Sequence, residues 1–163
     1  MLTSVIGTVA AALSDADLPA VSTWPKAALD RSESCICVGA AHAEACAGGF
    51  ARYLGLETDP ETGEHEVYGL NCALELRLDI YAPLSESNAA ETCLDLFDTA
   101  AETICAMPGL RVEALQCDSP TPDKETGMFH LRGGVKCSAM LLCSADGEDG
   151  TFSDFVLRGE LQQ

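Results

Sequence analysis

The sequence predicts an α+β fold: a two-layer sandwich whose mainly antiparallel sheet, about four to five strands, carries two main helices on one face. Three observations predict it. Residues 70–81 alternate strictly, with Leu70, Cys72, Leu74, Leu76, Leu78 and Ile80 on one side. Asn71, Ala73, Glu75, Arg77, Asp79 and Tyr81 lie on the other, which is the period of a strand with one buried face. Residues 128–144 alternate in the same way, Phe129, Leu131, Val135, Cys137, Ala139, Leu141 and Cys143 against His130, Arg132, Lys136, Ser138 and Met140. Two other segments space their apolar residues at the helical period instead.

The elements follow in order along the chain. Leu2, Val5, Ile6, Val9 and Leu13 fall at i, i+3, i+4, i+7 and i+11, an amphipathic helix over 2–14. Residues 14–30, with Pro19, Trp24 and Pro25, read as irregular, and 34–40 (SCICVGA) as a short strand. The Ala- and Gly-rich residues 41–54 read as an extended segment interrupted at Gly48-Gly49. Residues 55–66 (GLETDPETGEHE) read as an exposed acidic loop: Asp59-Pro60 and Thr62-Gly63 are turn chemistry and the carboxylates keep it solvated. After the long strand, Pro83 is a stop, and Ser85 or Ser87 is placed to cap a helix over 86–107. Its buried stripe is Cys93, Leu94, Phe97, Ala100, Ala101, Ile104 and Cys105, and Pro108-Gly109 ends it. Residues 110–117 alternate as a strand, 118–127 form a second exposed turn, and Gly133-Gly134 in the last strand suggests a bulge. The apolar tail 145–163 is a candidate arm on a single domain spanning 1–163.

Charge narrows the function classes. With 26 acidic and 9 basic residues the chain stands at −17. Nucleic-acid binding needs a basic stripe to displace counterions, whereas here the cations are scattered singly. Neither a DNA- or RNA-gripping role nor attachment to an anionic membrane is expected. The N-terminal apolar run is too short for a transmembrane helix and lacks the basic start of a signal peptide.

The chemistry-bearing residues form no recognisable catalytic set. His42, His65 and His130 occur in no metal-binding spacing, and there is no P-loop, GxSxG or dinucleotide fingerprint. Glu75 and Asp79 are four residues apart on a strand, about 13 Å, too far to share a proton in catalysis. The 9 cysteines lack CxxC spacing and read as small reduced core residues; Cys35 and Cys37 are the one local pair that could chelate. No enzyme, cofactor or metal is expected, and a cysteine-based enzyme or metal protein is the alternative outside the structural class. A one-sided sheet with a charged second face suits a subunit that assembles.

The run YGLNCALELRLDIYAP, the helix AAETCLDLFDTAAETI and the closing GLRVEALQCDSPTPDKETGMFHLRGGVKCSAMLLC together resemble the tail terminator (tail completion) proteins of long-tailed bacteriophages and prophages. The resemblance lies in the order and character of elements over residues 65–145. It implies a ring, a homo-hexamer that can be monomeric when free, which caps the last ring of the tail tube and stops its polymerisation. It implies the tail tube protein and the head–tail connector as partners, assembly in the bacterial cytoplasm, and residence at the head-proximal end of the virion tail. Another head–tail joining or baseplate protein is the alternative within the structural class. On this reading Glu75, Arg77, Asp79, Arg132 and Lys136 are the expected subunit interface, since mixed signs fix register between copies. Glu57, Asp59, Glu61, Glu64, Asp123 and Glu125 are the expected acidic rim or lumen, which lets DNA pass by repelling it.

Overall fold

The computed structural model describes residues 2–22, 32–47, 52–59 and 63–143. In chain order the elements are α1 (Leu2–Asp15), β1 (Ala20–Val21), β2 (Cys35–Ala47), β3 (Tyr53–Asp59), β4 (Gly63–Pro83), α2 (Ala89–Cys105), β5 (Leu110–Cys117), β6 (Thr121–Asp123) and β7 (Met128–Cys143). One sheet runs β1-β2-β4-β7-β5, with β3 paired to the start of β4 and β6 to the start of β7. Every pairing is antiparallel except β1 with β2. Among the described residues the sheet has 7 strands rather than four or five. β1 and β6 are too short to read as periodic, and β3 lies in the segment expected to be a loop.

Both helices lie on one face, as the one-sided strands require. α1 packs on β1 and β2, α2 on β4, β7 and β5, and the helices touch each other. The core between the layers is built from Val5, Val9 and Leu13 of α1 and Cys93, Phe97, Ala100 and Ile104 of α2. The sheet contributes Leu74, Leu76, Leu78, Ile80, Leu131 and Val135. Each fully buried Leu or Ile stabilises by about 1.5–3 kcal/mol through removal from water.

Local chemistry sets where the elements stop. α1 ends in a left-handed residue, Asp17 (φ 60°). The Leu18 N–H donates to the Leu13 carbonyl and the Asp17 N–H to the Ser14 carbonyl. Buried Leu13 and Leu18 close this end, the hydrogen-bond pattern of a Schellman terminus with Asp in place of the usual Gly. α2 begins later than expected. Asn88 flanks its first turn without a side-chain cap, while Glu86 accepts from the Thr92 hydroxyl. Leu94 and Cys105, expected on its buried stripe, are exposed.

The 55–66 reading is corrected. Tyr53–Asp59 pairs antiparallel with the first residues of β4, so Gly55–Asp59 and Gly63–Glu66 are strand rather than loop. The acidic residues misled because carboxylates on an exposed ribbon look like those of a loop. The Gly133-Gly134 bulge is also absent. β4 and β7 stay in register through both glycines, and the register shifts lie between Ala40 and His42 in β2 and between Val112 and Ala114 in β5. Gly133 instead makes room: a Cβ there would stand 2.5 Å from the Phe97 ring. The 145–163 arm lies outside the described residues.

Candidate functional site: the outer sheet face

Neither helix covers the second face of the sheet, and the strand register lays its side chains out in rows. Cys35, Tyr81, His130 and Thr121 form the first row. Next come Cys37, Asp79 and Arg132, then Gly39, Arg77, Gly134 and Gln116. Beyond them lie His42, Glu75, Lys136 and Ala114, then Glu44, Ala73, Ser138 and Arg111. The expected interface residues Glu75, Arg77, Asp79, Arg132 and Lys136 are therefore brought together on one face. Arg111 joins them; sequence reading missed it because its face is set by pairing with Ser138 of β7, far away in sequence.

The rows differ in burial. Asp79 is 1% exposed, which removes it from direct contact with any partner. Its carboxylate accepts from His130 Nε2–H at 2.9 Å, lies 2.7 Å from Arg77 Nε and 3.6 Å from Arg132 Nε. The Arg77 contact is close but poorly directed for a hydrogen bond, an ion pair in substance. A carboxylate taken from water needs this compensation, since an isolated buried charge is costly. Tyr81 is buried and stacks on the His130 ring at 4.7 Å, and burial pushes its phenol up from the ordinary range. The alternation of 70–81 thus has two buried faces at its C-terminal end: Cys37, Tyr81 and Met128 form a small second core on the outer side.

Cys35 and Cys37 lie in these rows with their sulfurs 3.5 Å apart. Their mutual hydrogen bond holds Cys35 below the ordinary thiol range, and the same bond with burial pushes Cys37 up. Burial raises Cys93 and Cys137 to about 11, fitting inert core thiols. Cys46, Cys105 and Cys117 are exposed, against the core reading. Cys105 and Cys117 are the last residues of α2 and β5, and Cys46 lies on the uncovered outer face in register with Asn71 and Met140. Among the described residues no group of three His, Cys, Asp or Glu converges in a way that could hold a metal ion. Among them, too, no helix is long and apolar enough to cross a membrane.

The expected acidic rim is divided. Glu64 is exposed at the β3–β4 hairpin, where the backbone of Glu57 and Asp59 also lies; their side chains and all of Glu61 fall outside the described residues. Asp123 and Glu125 stand at the other end of β4, since Asp123 pairs with Met128 and Met128 with Pro83. At about 3.3 Å per residue the two groups are on the order of 60 Å apart along the strand, so they form no continuous patch. Asp123 also has a local task. It accepts from the Thr126 hydroxyl at 2.8 Å and the Glu125 amide at 3.0 Å, bonds that hold its carboxyl below the ordinary range and pin the turn before Gly127 (φ 70°).

The open rows carry the charge that stays exposed on this face. Arg132, Lys136 and Arg111 are exposed there and Glu75 is half-buried opposite Lys136. The far side of the body is different: α2 exposes Glu91, Asp95, Asp98 and Glu102 and contains no Lys or Arg. Like charges at i, i+4 and an acid in the last turn against the helix dipole each cost a helix a few tenths of a kcal/mol (about 0.2–0.5 for a pair). Glu91, in the first turn, suits the helix dipole, but helix stability does not account for Asp95, Asp98 and Glu102.

No protein-family model matches this chain, and no curated protein matches it at a significant level.

Proposed function

We propose that this chain is a tail terminator of a long-tailed bacteriophage or prophage, a structural protein that caps the tail tube as a ring, stops its polymerisation and forms the joint to the head connector. The observation that carries the reading is the outer sheet face, which neither helix covers and which presents Arg132, Lys136, Arg111 and Glu75 from adjacent strands. Charges of both signs fixed on a rigid sheet supply register between copies rather than chemistry on a substrate. The order of long strand, helix, short strand and long closing strand, on which the resemblance rests, is also the order of β4, α2, β5 and β7. The chain acts as a homo-hexamer, assembles in the bacterial cytoplasm and resides at the head-proximal end of the tail. Its partners are the tube protein and the connector, and it carries no cofactor and no catalysis. A net charge of −17 per chain keeps passing DNA from adhering to the ring.

The test is capping. Purified chain added to polymerising tail-tube protein from the same phage or prophage shortens the tubes and forms a ring at one end in electron micrographs. Unchanged tube lengths with both ends bare would overturn the reading. A ring bound to the connector alone, with no effect on the tube, would move the chain to the head–tail joining class.

A further inference from the structure

The two broad surfaces of this molecule differ in charge: α2 exposes acids alone, while on the outer sheet face exposed Arg111, Arg132 and Lys136 outnumber exposed Glu44 and half-buried Glu75. On α2 the exposed residues Glu91, Leu94, Asp95, Asp98 and Glu102 follow i, i+3, i+4, i+7 and i+11, which places them on one stripe. The described basic residues are Arg52, Arg77, Arg111, Lys124, Arg132 and Lys136; all but Arg52 and Lys124 stand on the outer sheet face.

We propose that the α2 stripe of one copy docks on the Arg111, Arg132 and Lys136 patch of the next copy. This rests on the self-assembly in the proposed function and adds which surfaces meet. The sign of the charges selects among the pairings open to two copies. Stripe against stripe sets acid on acid, and patch against patch sets three exposed cations against three, with only Glu44 and Glu75 to offset them. Stripe against patch gives the largest number of opposite-sign contacts. The lengths agree as well: the stripe from Glu91 to Glu102 spans about 16 Å of helix. The patch from Arg132 to the Ser138 level, where Arg111 stands, spans about 20 Å of strand. Each surface also carries an exposed apolar residue, Leu94 at 40% and Met140 at 44%, to exclude water from the contact. Because stripe and patch lie on opposite layers, the contact is head-to-tail, the kind that closes into a ring when the rotation between copies allows it.

The contact is tested by charge reversal, reading association by sedimentation equilibrium. Asp95→Lys/Asp98→Lys and Arg111→Glu/Lys136→Glu change exposed positions that do not touch the Asp79 carboxylate, and each shifts self-association to concentrations on the order of 100-fold higher. An equimolar mixture of the two double variants, and a single chain carrying all the reversals, each recover association to within about tenfold of the original. The contact is overturned if the helix variant associates like the original chain, or if neither the mixture nor the combined variant improves on the double variants. An original chain that stays monomeric throughout also overturns it. Tube capping separates the two failures: normal capping by the helix variant removes this contact and leaves the terminator reading intact.

Discussion

The two faces of β4 come from one alternating strand and are held by different physics. The inner face is a run of leucines under the helices, each one 4% exposed or less from Leu74 to Leu78. Apolar burial is non-directional, so neighbouring inner residues do the same job. The outer face is graded: at its Pro83 end Asp79 and Tyr81 are closed off with Cys37 and Met128, while Glu75 and Lys136 remain open to solvent. Here each residue has a specific partner and a replacement at one is not made good by its neighbour. Packing accounts for the inner face in full. It does not account for the charges of the open outer rows, nor for Asp95, Asp98 and Glu102 on the far side of α2.

The contrast can be broken at its strongest point first. Leu78→Ala opens a cavity between the sheet and α2 and lowers stability by about 2–5 kcal/mol, read from denaturant midpoints. A loss under about 1 kcal/mol would mean the layers are looser than described. Asp79→Asn removes the shared anion of Arg77, Arg132 and His130. Arg77 and Arg132 are 41% and 60% exposed and turn partly to water, so the cost is about 1–2 kcal/mol rather than that of a fully buried pair. Glu75→Gln on the same face stays within about 0.5 kcal/mol. Equal effects at the two positions would erase the distinction between closed and open rows.

The smallest effect is in the β6–β7 turn. Asp123 has a carboxyl held below the ordinary range, so its contribution is fully present above the unfolded value of about 3.9 and is lost as pH falls through the lower folded value. NMR titration gives Asp123 a midpoint below an ordinary aspartate, with the Glu125 amide losing protection in the same step. A midpoint at or above the ordinary value would detach the carboxylate from the turn.

Sequence was most informative where one period ran long. The helix at 2–14 and the strands at 70–81 and 128–144 are set by repeated apolar spacing, and these alone define the two-layer sandwich. It was least informative where two rules gave the same pattern. Glu57, Asp59 and Glu64 look alike in a solvated loop and an exposed hairpin. Gly133 looks alike as a bulge residue and as the space Phe97 needs. The outer face was legible as charged because alternation assigns sides. That Asp79 is buried was not, since it depends on Tyr81, His130 and Cys37 meeting across strands far apart in sequence. Arg111 escaped notice for the same reason: its face is fixed by pairing with Ser138.

The central claim is that the open outer face is an interface between copies, and solution mass by light scattering across protein concentration and salt tests it most directly. Between about 0.01 M and 0.15 M salt the Debye length falls from about 30 to 8 Å, which screens the repulsion of chains at −17 while leaving close pairs intact. If the face joins copies, the mass climbs to six chains over that interval and falls again towards 1 M, where the Debye length is about 3 Å. A single-chain mass at every concentration and salt would contradict it and leave the charged face solvated.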